Sequence, residues 1–179
     1  MMKKAGIIVV SIILVILAGM VVIRWHTKSF SPFEVVKHKE ILQVEYCRPY
    51  KKGRKIFGEL VQYGEVWRTG ANDATLFSCE SAIYFGEQEV EPGQYSLWTI
   101  PSPDSWEVIL NSETGQWGVD MNGQPNRDPE LDVAKASVMV IRPPQSFEQF
   151  TITFEEMRNE IELVMVWDTT MVVVPMRLK

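Results

Sequence analysis

From residue 40 to the end of the chain, side-chain polarity alternates with a period near two, and helical spacing is almost absent. Successive residues of a strand point to opposite faces, so this alternation specifies sheets with one side turned to a core. Nine candidate strands follow, at roughly 40–47, 75–85, 88–91, 94–100, 105–111, 132–141, 149–156, 160–167 and 171–177, separated by clusters of Gly, Pro, Asn and Asp. Many short strands without intervening helices imply an all-β fold, an antiparallel β-sandwich or barrel-like domain. Glu91-Pro92-Gly93-Gln94 reads as a type II turn, in which Gly93 supplies the positive φ. Residues 156–160 read as a hairpin loop joining Phe150-Ile152-Phe154 to Ile161-Leu163-Met165-Trp167.

The 179 residues suit one such domain and an appendage. Ala5 to Ile23 runs for 19 residues without a charge or a proline. As a helix it covers about 28 Å, close to one hydrocarbon core. It reads as an uncleaved transmembrane anchor (5–23) between a cytoplasmic tail (1–4) and a juxtamembrane connector (24–39), with the β domain at 40–179. A cleaved signal peptide fits less well, because the run is long and Val22-Ile23-Arg24-Trp25-His26 lacks a small-x-small site. Lys3 and Lys4 precede the run, while Arg24, Lys28, Lys37 and Lys39 follow it, so the positive-inside rule does not orient it unaided.

The net charge of -5 is unevenly spread: residues 31–55 hold seven Lys/Arg against three Glu, and residues 56–179 hold seven against twenty Asp/Glu. A mostly acidic domain argues against a nucleic-acid partner. The basic segment near the anchor reads as a solvated loop or as a contact to anionic headgroups. Cys47 and Cys79 would permit one disulfide outside the cytoplasm, but alternation turns their side chains to different faces and argues against it.

His26 lies beside the anchor and His38 in the connector, which leaves the domain essentially without an imidazole. Nucleophilic triads then lack their base and histidine zinc sites their ligands, so no metal or cofactor is expected. Carboxylates remain, and Asp73 and Asp120 are the first pair to inspect for acid and base roles, although most acids of such a chain simply solvate its surface. Trp106 and Trp167 fall at core positions, and Trp98 either faces outward or meets a second layer. Trp67 and Trp117, in turn-rich segments, are divided between packing and ligand stacking. Arg68 is the one basic residue between Lys55 and Arg127. It reads either as a clamp for a carboxylate or phosphate or as a structural brace. Gly58, Gly64 and Gly70 recur without the helix or the Gly-Lys-Ser/Thr ending of a phosphate loop, and read as turn positions of positive φ.

KGRKIFGELVQYGEVWRTGANDAT (52–75), EPGQYSLWTIP (91–101), QWG (116–118) and the ending from Trp167 to Pro175, in that order, resemble the bacterial family catalogued as domain of unknown function 2911. The resemblance covers about 40–178. It implies a β-rich, exported or envelope-associated domain, favours an outward orientation, and carries over no catalytic residue. The expectation is therefore a single-pass envelope protein with its β domain periplasmic or extracellular, acting as a non-catalytic binding module for a polar small molecule or glycan. Its pocket is expected between loops 63–73 and 112–127, using Trp67, Arg68, Asn72, Asp73, Trp117 and Asp120. A carboxylate-dependent hydrolase of envelope carbohydrate and an envelope scaffold are the alternatives.

Overall fold

The computed structural model describes residues 12–16, 18, 19, 30–157 and 160–179. Most of the expected anchor at 5–23, the tail 1–4 and residues 24–29 of the connector lie outside the described residues. Among those described, no helix is long and apolar enough to cross a membrane.

The alternating segments form antiparallel strands in two layers. One sheet runs in the order β1 (Phe33–His38), β2 (Leu42–Cys47), β3 (Thr75–Cys79), β6 (Gly93–Pro101), β7 (Ser105–Asn111) and β8 (Asp132–Met139). The other runs β5 (Gln88–Val90), β4 (Ile83–Phe85), β11 (Thr170–Leu178), β10 (Glu160–Asp168) and β9 (Phe147–Met157). The inward faces meet in a core that includes Val44, Phe77, Leu97 and Val108 from the first sheet and Phe150, Leu163, Met165 and Val174 from the second, all at 0 % exposure. Burying each such side chain stabilises the fold by about 1.5–3 kcal/mol. The β9–β10 hairpin forms as its alternation predicts, with Leu163 opposite Phe154 and Met165 opposite Ile152.

The structure departs from the sequence reading in three places. The expected connector ends early, because Phe33–His38 is already a strand, pairing with β2 from Phe33–Cys47 to His38–Leu42. Its outward face carries exposed Phe33 and Val35, which blurs the alternation. The expected strand 75–85 is two strands in different sheets, broken at the turn after Cys79. Thr75, Phe77, Cys79, Ile83 and Phe85 keep one parity across that break, so both halves face the same core and periodicity does not reveal the crossing. Gly93 opposes Cys79 in the ladder and has no positive φ, so the expected type II turn is absent. Glycine there admits the Tyr95 ring, whose hydroxyl donates back to the Glu91 carbonyl at 2.8 Å. Gly58 and Gly64 do have positive φ; Gly70 does not.

The edges between the sheets are closed. Residues 48–51 run along β9, with Phe150 N donating to Pro49 O at 3.0 Å and Lys51 N to Glu148 O at 2.6 Å. The Tyr46 hydroxyl accepts the Ile152 N–H at 2.8 Å, and burial pushes this phenol up to about 12. Cys79 opposes Leu42, whereas Cys47 sits on the other face of β2, and no disulfide joins the two.

Trp106 and Trp167 are in the core. Trp98 belongs to the outer face of the first sheet and is nonetheless fully buried, and a hydrogen-bonded chain ties it to the 112–127 loop. Its Nε1 donates to Ser96 Oγ at 2.7 Å, and Ser96 Oγ donates to Glu113 O at 2.6 Å. Asn111 Nδ2 holds the loop's return through Asp128 O and Asp132 Oδ1, beside an Arg127–Asp132 ion pair at 2.8 Å.

Candidate functional site

Between Cys47 and Thr75 the chain leaves the sheets and closes one end of the sandwich. Ile56, Phe57 and Val61 insert into the core as apolar residues of a loop must if they are to escape water. Phe57 lies 5.0 Å from the Trp106 ring and within 6.3 Å of Trp67 and Trp167, measured between centroids. Trp67 takes the place beside β6 that β3 vacates: its N–H donates to Thr99 O at 2.7 Å and its carbonyl accepts Thr99 N at 2.9 Å. Its indole stacks at 6.0 Å on Trp167 and reaches Phe150 at 5.0 Å. Trp67 is thus a half-buried part of the aromatic floor.

The turn after Trp67 is strained and held. Thr69 and Asn72 have φ of 54° and 63°. For a β-branched residue that conformation costs about 1–3 kcal/mol and persists only where the surroundings enforce it. Here Thr75 Oγ1 donates to Thr69 O at 2.7 Å, Trp67 Nε1 to Gly70 O at 3.0 Å, and Ala71 N to Cys47 O at 3.2 Å. These bonds set the backbone around Arg68.

Arg68 extends from this turn to the 112–127 loop, where its Nη1 donates to the Trp117 carbonyl at 3.1 Å. Its stem lies against Gly118, which has φ 91° and at which a Cβ would stand 2.5 Å from Arg68 Cδ. Burial pulls the guanidinium below its ordinary value, with the field of Asp73 opposing. The side chain therefore braces two loops and at the same time borders a cavity.

That cavity, of about 900 Å³, lies between the 48–71 block and residues 118–125. Tyr50, Trp67 and Trp167 contribute aromatic surface, and Leu60, Val61, Val66 and Val119 contribute aliphatic surface. Among the described residues its charged walls are Lys52, Arg54 and Arg68 against one acid, Glu65. Among the described residues, no carboxylate lies within 4.0 Å of any of these three cations, whereas Lys51 is paired with Asp168 and Lys55 with Glu59. Lys52 and Arg54 are functional candidates that the sequence reading missed. The basic run reads from the sequence as a solvated loop or a contact to anionic headgroups; in the structure Lys52 and Arg54 border the cavity, the Arg54 guanidinium donating to the Tyr50 and Lys51 carbonyls, while Lys51 pairs with Asp168.

The other expected site residues are distributed around this cleft. Asn72 is 8 % exposed and its Nδ2 has no hydrogen-bond partner among the described residues. Trp117 is half-buried and contributes its carbonyl to Arg68 without forming a cleft wall. Asp73 borders a second hollow of about 340 Å³, with Glu45, Cys47, Ser96 and Gln116 among its walls. Asp120 is exposed at the tip of the other loop, where its carboxylate accepts Gln124 N at 2.9 Å and Asn122 N at 2.8 Å, bonds that hold it below its ordinary value. Asp73 and Asp120 therefore line no common cavity of these two. Among the described residues no three His, Cys, Asp or Glu side chains gather as a metal site would require.

A comparison with curated proteins and another with solved structures each return no match. The sequence model of the family described as "Protein of unknown function (DUF2911)" matches residues 31–176, which begins just before β1 and ends within β11. The match spans both sheets and the whole cleft-forming block, and the chain belongs to this family.

Proposed function

We propose that the chain is a non-catalytic binding module whose cleft takes an anionic polar small molecule or acidic glycan, held at the envelope membrane by residues 5–23 with the β domain outside the cytoplasm. One observation carries the reading: three cations face one acid around a cavity of about 900 Å³ in a chain of net charge -5. Concentrating like charge at a concave, partly apolar surface is unfavourable without a counter-charge, and a bound anion supplies it. Arg68 offers a guanidinium already fixed by Trp117 and Gly118, so little side-chain freedom is lost on binding.

The full chain in zwitterionic detergent, titrated calorimetrically with inorganic phosphate, glucuronate and neutral glucose, tests this. Saturable binding is expected for the two anions and not for glucose. Arg68→Gln, and separately the exposed pair Lys52→Gln/Arg54→Gln, weaken it roughly tenfold or more, the scale of one charge-assisted hydrogen bond. Absence of anion binding, or equal binding by both folded variants, overturns the reading.

A further inference from the structure

The cleft has a position along the chain as well as a charge. Phe30 and Ser31 form part of its wall, and Phe30 is seven residues beyond Ile23, the end of the apolar run. At about 3.5 Å per residue that segment spans at most about 25 Å. A bilayer holding Ala5–Ile23 therefore lies within a short tether of this mouth of the cleft. Two of the walls, Phe30 and Leu60, expose apolar side chains to solvent at 56 % and 47 %, and the Lys52 ammonium lies 5.4 Å from the Phe30 ring centroid. Apolar side chains beside cations are the composition that lodges at a headgroup layer. Meanwhile residues 56–179 carry twenty acids against seven Lys/Arg, so an anionic surface repels the bulk of the domain and attracts the end bearing Lys52, Arg54 and Arg68.

We infer that the cleft recognises the phosphate of an anionic lipid headgroup in the bilayer that anchors the chain. This rests on the cleft as an anion site and identifies the source of the anion. The phosphate sits among Lys52, Arg54 and Arg68, with Phe30 and Leu60 at the acyl boundary, and the acidic bulk is turned away from the membrane.

The test places the full chain in nanodiscs of phosphatidylcholine alone, of phosphatidylcholine with phosphatidylglycerol, and of phosphatidylcholine with soluble glycerol 3-phosphate added. Amide hydrogen exchange is read over residues 58–71 and 118–125. Phosphatidylglycerol is expected to slow exchange in both segments about tenfold, and Arg68→Gln and Lys52→Gln/Arg54→Gln to abolish the effect. Because Lys52 and Arg54 are exposed, the double variant retains the fold even where Arg68→Gln disturbs it. Protection by glycerol 3-phosphate but not by phosphatidylglycerol leaves the anion cleft standing and overturns the lipid. Equal protection in wild type and the double variant reduces the effect to bulk surface charge and also overturns it. No protection by either phosphate removes both the lipid and the anion cleft, and a chain that does not enter the disc overturns the lipid alone.

Discussion

Gly118 and Arg68 occupy adjoining space so tightly that one residue's missing side chain is the other's room. A methyl group at position 118 would stand 2.5 Å from Arg68 Cδ and 2.8 Å from its Cβ, on a backbone at φ 91°. Gly118→Ala is expected to lose about 1–3 kcal/mol through that conformation alone. It also displaces the guanidinium, so chemical denaturation and anion titration should both register the change. A purely structural glycine would move the first measurement and leave the second. Of the alternatives open at Arg68, the bond to the Trp117 carbonyl shows a brace; the side chain also borders the cleft, and the clamp is the role we propose for it. Isolation from other basic residues marked Arg68, whereas its partners Trp117 and Gly118 lie 49 and 50 positions away, beyond any local pattern.

The 48–74 excursion acts as an element despite having almost no regular structure. Phe57 fastens it to the interior at 6 % exposure, among Trp67, Trp106 and Trp167. Phe57→Ala should cost about 3–5 kcal/mol and speed amide exchange over 56–71 more than in β10 and β11, as expected of an end-plug loosened before the sheets. The same block is fastened to the end of β10 by Lys51 and Asp168, 2.6 Å apart and with side-chain exposures of 24 % and 18 %. Burial raises the Asp168 carboxyl, but the hydrogen bonds from Lys51 and Ser146 and the Lys51 charge outweigh it and hold the group below its ordinary value. A depressed carboxyl contributes stability that is full above its unfolded value and disappears as pH falls through the folded one. Asp168→Asn, which tolerates the local φ of 52°, should therefore lose about 1 kcal/mol near neutral pH, and the deficit should close on acidification below the usual aspartate range. Denaturant midpoints across pH measure it. Strands were the readable elements: nearly all lay where alternation put them, and the exceptions were β1, whose solvent face is apolar, and the β3–β4 break, where parity is kept.

At the scale of the molecule, the fold separates charge that the chain merely lists. The acids are spread over both sheets, while Lys52 and Arg54 are brought beside Arg68 at one closed end, so anion binding there should weaken with salt as exposed charge interactions do. The sequence by itself determined an antiparallel all-β fold, sandwich or barrel-like, because alternation is a local property and every strand must hide one face; that the strands divide into two sheets was decided by the tertiary structure. The sequence also determined the kinship, through long motifs in a fixed order, and it placed the suspected site in the two long irregular segments. Only the tertiary structure decided that these segments share a cleft, that Asp120 is used by its own turn and Asp73 faces a different hollow, and that the exposed Lys52 and Arg54 stand at the cleft's border. The physical reason is range: periodicity reports which face of a strand is wet, but a cavity is made by residues dozens of positions apart, and its charge is a sum that exists only after the chain has closed on itself.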